Sequence, residues 1–85
     1  MNYTVIWLFD AQEMLAAVWT AAADRKAVTE ATYRIDRRLA DDPLDVGESR
    51  EGNRRLAFDP PLQVMFRVFA ADKRVEVVSV GAYGR

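Results

Sequence analysis

The chain has 85 residues, a formal net charge of −1, and neither cysteine nor histidine, so we interpret residues 1–85 as one small domain. Disulfides, thiolate catalysis and the usual zinc sites are thereby excluded, and the side chain that most often transfers protons near neutral pH is missing. No apolar run approaches the roughly 18 residues needed to cross a bilayer. We therefore expect a cytoplasmic protein with no membrane contact, no metal and no cofactor.

The N-terminal half predicts one strand followed by two helices. Residues 3–8 are rich in β-branched and aromatic side chains, which is typical of a mostly buried strand. Asp10, with Glu13 three residues later, forms a capping-box pattern that would open the first helix. Asp24 would cap a second helix after a very short turn, and Pro43 would stop that helix. The helical apolar positions predicted to face the core are Leu15, Val18, Trp19, Ala22, Val28, Ala31, Ile35 and Leu39.

The C-terminal half predicts three short strands at about residues 49–58, 62–69 and 74–80, followed by a tail from Gly81 to Arg85. The order β-α-α-β-β-β predicts an α+β fold. In that fold a helical hairpin packs on one face of a curved, antiparallel, four-stranded sheet. A chain this small buries a limited core, so a homo-oligomer is also compatible with the sequence.

Strand register assigns each side chain to one of the two sheet faces. A turn centred on Pro60 would place Arg55 opposite Met65, and the next turn would place Arg67 opposite Glu76. Arg55 and Arg67 would then share the face that the helices leave open. The face predicted to meet the helices contains Leu56, Phe58, Leu62, Val64, Phe66, Val68, Val75 and Val77.

Three arginines lie within six residues of the chain, at Arg50, Arg54 and Arg55. A guanidinium group matches the geometry of a phosphate, so these side chains are candidates for phosphate contact. The alternative is a solvated strand edge with local ion pairs to Glu48 and Glu51. The two interpretations stay open, with contact favoured for Arg55 because its predicted face lacks other cover.

Three further residues are candidates for chemistry. Arg67 could stabilise charge on a scissile phosphate, although a cross-strand ion pair with Glu76 is the favoured interpretation. Glu51 could act as general base for a ribose 2′-hydroxyl, with simple charge balance favoured instead. Tyr83 could stack on a base or donate a proton, with packing of the tail on the sheet favoured instead.

The order of elements and three segments of the chain resemble the RelE/ParE superfamily of small bacterial toxins from toxin–antitoxin pairs. The resemblance covers nearly the whole chain. Its segments are the helix stop Leu39-Ala40-Asp41-Asp42-Pro43, the stretch Arg50-Glu51-Gly52-Asn53-Arg54-Arg55-Leu56, and the strand pair Pro61-Leu62-Gln63-Val64-Met65-Phe66-Arg67-Val68 and Val75-Glu76-Val77-Val78-Ser79-Val80.

The resemblance implies that the curved, exposed sheet face is the functional surface and that a cognate antitoxin holds the protein inactive. RelE-type members cut mRNA on the ribosome, and ParE-type members act on DNA gyrase. By the same resemblance, Arg54 and Arg55 stand where the second strand supplies basic groups. Tyr83 stands in the functional tail. Gln63 stands where a catalytic arginine would begin the third strand, which is a departure from the ribonuclease pattern.

Two functions are therefore carried forward. The first is metal-free RNA cleavage. In it Glu51 or Tyr83 would transfer protons, and Arg55 and Arg67 would stabilise negative charge on the phosphate. Arg50 and Arg54 would bind the nucleic acid. The second is a non-catalytic interaction module on the same fold, such as a gyrase inhibitor or a degenerate toxin.

Overall fold

The computed structural model of the chain describes residues 2–84, so Arg85 of the predicted tail lies outside the described residues. In chain order the elements are strand β1 (Thr4–Trp7), helices α1 (Phe9–Ala21) and α2 (Arg25–Asp41), and strands β2 (Glu48–Ser49), β3 (Arg54–Asp59), β4 (Leu62–Phe69) and β5 (Arg74–Ala82). Short 3-10 turns follow α2 at Pro43–Asp45 and β4 at Ala70–Asp72. Within residues 2–84, neither helix is long and apolar enough to cross a membrane.

The five strands form one mixed sheet in the order β1-β5-β4-β3-β2. The predicted α+β class and the helical hairpin on one face are confirmed, but the purely antiparallel four-stranded sheet is wrong. β1 runs parallel to β5, the last strand in the chain, whereas the helical hairpin leads from β1 to β2 at the opposite edge of the sheet. The predicted second strand is split by a turn at residues 50–53, where Gly52 has a φ of +71°, and its first part becomes β2.

Helix α1 begins without the predicted capping box. Only Leu8 separates β1 from α1, so Asp10 already lies in the first turn of the helix, and no side chain of residues 2–84 caps that helix. The predicted cap of α2 is confirmed, since the Asp24 carboxylate accepts a hydrogen bond from the backbone N–H of Ala27 at 3.0 Å. The apolar stripe of α2 is fully buried against the sheet, as expected from its spacing.

Trp19 is not in the core, contrary to its predicted place in the apolar stripe of α1; it is 42% exposed. The guanidinium of Arg25 lies 4.7 Å from the ring centroid and donates hydrogen bonds to the carbonyls of Trp19 and Thr20 at 3.1 and 2.9 Å. Trp19 and Arg25 therefore stabilise the very short turn between the two helices.

The core lies between the helical hairpin and one face of the sheet. Its sheet side consists of side chains that alternate along β3, β4 and β5, and its helix side is the stripe of α2 with Ala11 of α1. The fully buried members with the largest side chains are Phe66, Ile35, Leu39, Leu62, Val28, Val64, Val75 and Val77.

The β3–β4 register differs from the predicted one by a single residue. Both prolines at positions 60 and 61 lie in the turn, so Asp59 pairs with Leu62 and Arg55 pairs with Phe66. Phe66 is in the core, so Arg55 points to the helix side of the sheet, whereas Arg67 points to the other side. A one-residue slip moves every side chain of a strand to the opposite face. The predicted sharing of one face by Arg55 and Arg67 is therefore wrong.

The β4–β5 register is confirmed near its turn and then shifts. Arg67 pairs with Glu76 as predicted, but Met65 pairs with Ser79 rather than Val78. Val78 is the extra residue of a β-bulge, which leaves one residue of β5 without a partner on β4. Beyond the bulge Val80 turns into the core, and the alternation brings Gly81 and then the tail to the other face.

Candidate functional site

The side of the sheet that faces away from the helices is called here the open face. It is built by alternate residues of β3, β4 and β5 and by the residue that follows β5. These are Arg54, Leu56 and Phe58, then Gln63, Met65, Arg67 and Phe69, then Arg74, Glu76, Ser79 and Gly81, and last Tyr83.

Arg54 and Arg67 lie directly opposite each other on β3 and β4, and both side chains are exposed. Among residues 2–84 neither guanidinium forms an ion pair; the Arg54 side chain donates only a long hydrogen bond, 3.4 Å, to the Glu51 carbonyl. Like charges directly opposite each other destabilise a sheet. The two side chains therefore place adjacent positive charges on the open face with no ion-pair partner among residues 2–84, and an anion could bind there.

Two carboxylates at this end of the sheet, Glu48 and Glu76, are bound by other arginines. Glu76 lies opposite Arg67, but its Oε2 accepts a hydrogen bond from Nε of Arg74 at 3.2 Å. The favoured ion pair between Arg67 and Glu76 is therefore not formed within residues 2–84, although the register that suggested it is right. The predicted alternative for Arg50 is confirmed, since its guanidinium lies 3.1 Å from the Glu48 carboxylate.

Arg55 anchors a loop and does not face outward. Its Nε donates to the carbonyl of Val46 at 2.9 Å, and its two terminal nitrogens donate to Ser49 Oγ at 3.0 Å and to the Gly47 carbonyl at 3.2 Å. The guanidinium thus fixes the loop that leads into β2, on the helix side of the sheet. This placement is a correction to the predicted cluster, in which Arg55 would stand beside Arg67.

The same loop needs a glycine where it passes β3. Gly47 has a φ of +69°, and a Cβ there would collide with the carbonyl of Leu56. Close backbone approach and a left-handed conformation both favour glycine. Arg55 and Gly47 together set the position of the β2–β3 hairpin and of the side chains at its tip.

Glu51 is in the tip of that hairpin, three residues before Arg54. It is exposed, and its carboxylate makes no hydrogen bond or ion pair with any described residue. The backbone N–H of Arg50 donates to the Arg54 carbonyl at 2.8 Å, which closes the turn. Glu51, Arg50 and Arg54 therefore stand at the same end of the open face as Arg67.

An aromatic pair stands at the other end of the open face. The rings of Phe58 and Tyr83 lie 4.5 Å apart between centroids and are tilted by 45°. The backbone N–H of Tyr83 donates to the Pro61 carbonyl at 2.9 Å, which holds the tail in line with the sheet. The predicted packing of the tail on the sheet is confirmed. Phe58 was missed by sequence reasoning because the shifted register had placed it under the helices.

Gln63 lies beside this aromatic pair. It is opposite Phe58 on one side and opposite Gly81 on the other. Its side-chain amide makes no hydrogen bond to any residue from 2 to 84 and remains accessible to solvent. Gln63 and Arg67 are four residues apart on β4, so about 13 Å separates the basic end from the aromatic end.

The aromatic end is tied to the helix layer by Asp59. Arg34 donates to both carboxylate oxygens of Asp59, with distances of 2.8 to 3.2 Å, and a nitrogen of Arg38 lies 3.8 Å from the same group. The hydrogen bond to Asp59 raises the pKa of the Arg34 guanidinium above its ordinary value. This ion pair fixes the end of β3 next to the turn that precedes Gln63.

The structure therefore brings together only part of the predicted site. Arg54, Arg67, Arg50 and Glu51 share the basic end, Tyr83 stands at the aromatic end, and Arg55 is on the opposite face. Among residues 2–84, no group of three or more aspartate or glutamate side chains is arranged to hold a metal ion.

No protein-family model and no curated protein sequence matches the chain. Solved structures do match over nearly the whole length. A chain of the toxin–antitoxin complex RelBE2 from Mycobacterium tuberculosis has a TM-score of 0.80 at 18% identity, over 100% of this chain and 95% of that one. A chain of the chromosomal ParDE system from P. aeruginosa has a TM-score of 0.72 at 15% identity, over 98% of both chains.

A mutant of the E. coli toxin RelE in the free state has a TM-score of 0.70 at 15% identity, over 96% of this chain and 84% of that one. At such low identity these likenesses establish the fold. The chain has the fold of the RelE and ParE toxins, in agreement with the resemblance predicted from sequence.

Proposed function

We propose that this protein is the toxin of a toxin–antitoxin pair and that it acts on RNA through its open face. The shared fold with the toxin RelE and with chains of two toxin–antitoxin systems supports the first part. The observation that carries the second part is the side-by-side placement of Arg54 and Arg67 with no ion-pair partner among residues 2–84. The implied partner is a cognate antitoxin that covers this face in the cytoplasm.

The arginine pair suits a phosphodiester better than it suits a carboxylate side chain. Each guanidinium offers a planar fork of donors that matches two phosphate oxygens, and two adjacent forks can hold one phosphate from both sides. Aromatic side chains on the same sheet face provide stacking surfaces for unpaired bases, which is how sheets commonly bind single-stranded RNA. Charge and stacking groups therefore occupy one continuous surface.

Cleavage would follow the attack of a 2′-hydroxyl oxygen on the adjacent phosphorus. The bond from phosphorus to the 5′ oxygen breaks, a 2′,3′-cyclic phosphate forms, and the leaving 5′ oxygen takes a proton from water. Arg54 and Arg67 would stabilise the negative charge that develops on the phosphate. Glu51 would accept the 2′-hydroxyl proton, because it is the carboxylate at this end that no arginine in the described part of the chain holds.

Induced expression in bacteria tests the proposal. The wild-type chain should arrest growth and produce cut mRNA detectable by primer extension, while the double variant Arg54→Ala/Arg67→Ala should do neither. Arg37→Ala is the matched control, since Arg37 is an exposed arginine on α2, in the helix layer. Growth arrest with intact mRNA would reject RNA as the target.

One observation favours a second candidate, a non-catalytic inhibitor of a protein such as DNA gyrase. Between the two ends of the open face, Leu56 and Met65 form a half-buried apolar centre, and Gln63 stands where the ribonuclease pattern has an arginine. An apolar centre rimmed by charge is typical of a protein interface. Gyrase-linked DNA breaks in arrested cells, with intact mRNA, would support this candidate.

A further inference from the structure

We propose that Phe58, Tyr83 and Gln63 form a recognition site for one unpaired nucleobase, with a preference for adenine. The inference rests on the proposed action on RNA and adds a specificity element to the same face. In this proposal Gln63 contacts a base, so it need not perform the catalytic role that an arginine has at this position in the ribonuclease pattern. Three features of the site support it.

The first feature is the aromatic pair. Phe58 is 38% exposed and Tyr83 is 42% exposed, so each ring keeps a free surface although the two touch. The two rings are tilted by 45° to each other, and they lie on the side of the sheet that also holds the arginines. A base can stack on such a surface, and a purine covers more of it than a pyrimidine does.

The second feature is the unused amide of Gln63. It lies cross-strand from Phe58 and makes no hydrogen bond to the described part of the chain. A glutamine amide offers one donor group and one acceptor, which match N7 and the 6-amino group of adenine together. The corresponding edge of guanine presents two acceptors, so the amide oxygen would face a lone pair there.

The third feature is that the chain segments that carry the two rings are held in place before a ligand arrives. The Tyr83 backbone is bonded to Pro61, and the Asp59 carboxylate that follows Phe58 is bonded to Arg34. Gly81 gives Gln63 room, because a Cβ at Gly81 would lie only 3.3 Å from its Nε2. Side chains that are already ordered lose less conformational freedom on binding.

The base site and the phosphate site are separated by about 13 Å along β4. They should therefore make separate contributions: the arginine pair sets the salt-dependent affinity for any RNA, the aromatic pair adds stacking for any base, and the glutamine sets base preference. This separation allows the two proposals to be tested independently.

The experiment measures fluorescence anisotropy of labelled hexanucleotides of adenine, cytosine or uracil with the purified full-length chain. Wild type should bind the adenine strand at least about fivefold more tightly than the others. Gln63→Leu should reduce this preference to less than about twofold while retaining arginine-dependent binding. Phe58→Leu should weaken binding of all three strands by about fivefold or more. Arg37→Ala should match wild type.

The failure of each proposal has its own signature. Binding that depends on Arg54 and Arg67 but is equal for the three strands, or an adenine preference that survives Gln63→Leu, overturns the base site alone. Binding that is absent in wild type, or unchanged in Arg54→Ala/Arg67→Ala, overturns the proposed action on RNA and the base site with it. Gln63→Met, which has nearly the volume of glutamine, serves as a second variant, and urea unfolding verifies that each variant is folded.

Discussion

Arg54 and Arg67 lie directly opposite each other on adjacent strands of the open face, and among residues 2–84 no carboxylate neutralises either one. Two nearby carboxylates are engaged elsewhere, Glu48 with Arg50 and Glu76 with Arg74, and the Glu51 carboxylate forms no ion pair with a described residue. Two like charges directly opposite each other lower the stability of a sheet. An anion bound between the two guanidinium groups would offset that cost, so the pair marks a candidate anion-binding site.

The cost of this arrangement should be measurable in the free protein. Arg67→Gln should raise the free energy of unfolding by a few tenths of a kcal/mol, because it removes a like-charge contact across two strands. Urea denaturation at low salt measures the gain, and added salt should shrink it by screening. A loss of more than about 1 kcal/mol would mean that Arg67 packs or pairs in a stabilising way.

Arg55 should act through the loop that it anchors. Arg55→Ala leaves the carbonyls of Val46 and Gly47 without their donor, so it should lower the free energy of unfolding by about 1–3 kcal/mol. Arg55→Lys should recover only part of this, since an ammonium cannot reproduce the planar fork. Urea denaturation gives the free energies, and faster amide exchange at residues 46–49 would localise the effect. Unchanged exchange there would contradict the anchoring role.

Two glycines with similar positive φ angles offer a matched test of the close approach at β3. Gly47→Ala combines a positive φ with a collision against the Leu56 carbonyl, whereas a Cβ at Gly52 would meet nothing within 4 Å. Gly52→Ala should cost about 1–2 kcal/mol from the left-handed backbone alone. Gly47→Ala should cost clearly more, because the loop must also move. If both variants lose the same unfolding free energy in thermal or urea denaturation, the loop moves away from β3 at no energetic cost, which would contradict this account.

The helices and strands were largely predictable from the sequence, whereas the sheet face on which each side chain lies was predicted correctly only in part. Alternation of apolar residues fixed β4 at its observed bounds and paired Arg67 with Glu76 correctly. The face of β3 depended on how many residues form the turn before β4. Since proline lacks the N–H needed for a ladder bond, both Pro60 and Pro61 belong to the turn, and this would have been the signal for the correct register.

Other features had no usable signal in the sequence. The bulge at Val78 depends on packing across β4 and β5, and an isolated valine in a run of apolar residues does not reveal it. Arg54 and Arg55 are identical in type and adjacent in the chain, so only the register decides which one faces outward. The aromatic end was hidden for the same reason, because Phe58 changes face together with Arg55.

The salt dependence of RNA binding tests the central claim most directly. For single strands, the slope of log affinity against log salt changes by about 0.7 for each phosphate contact that is lost. Relative to wild type and to Arg37→Ala, the double variant Arg54→Ala/Arg67→Ala should bind a hexanucleotide more weakly and with a slope shallower by about 0.7 to 1.4. A double variant with wild-type affinity and slope would show that these arginines do not hold the phosphate backbone.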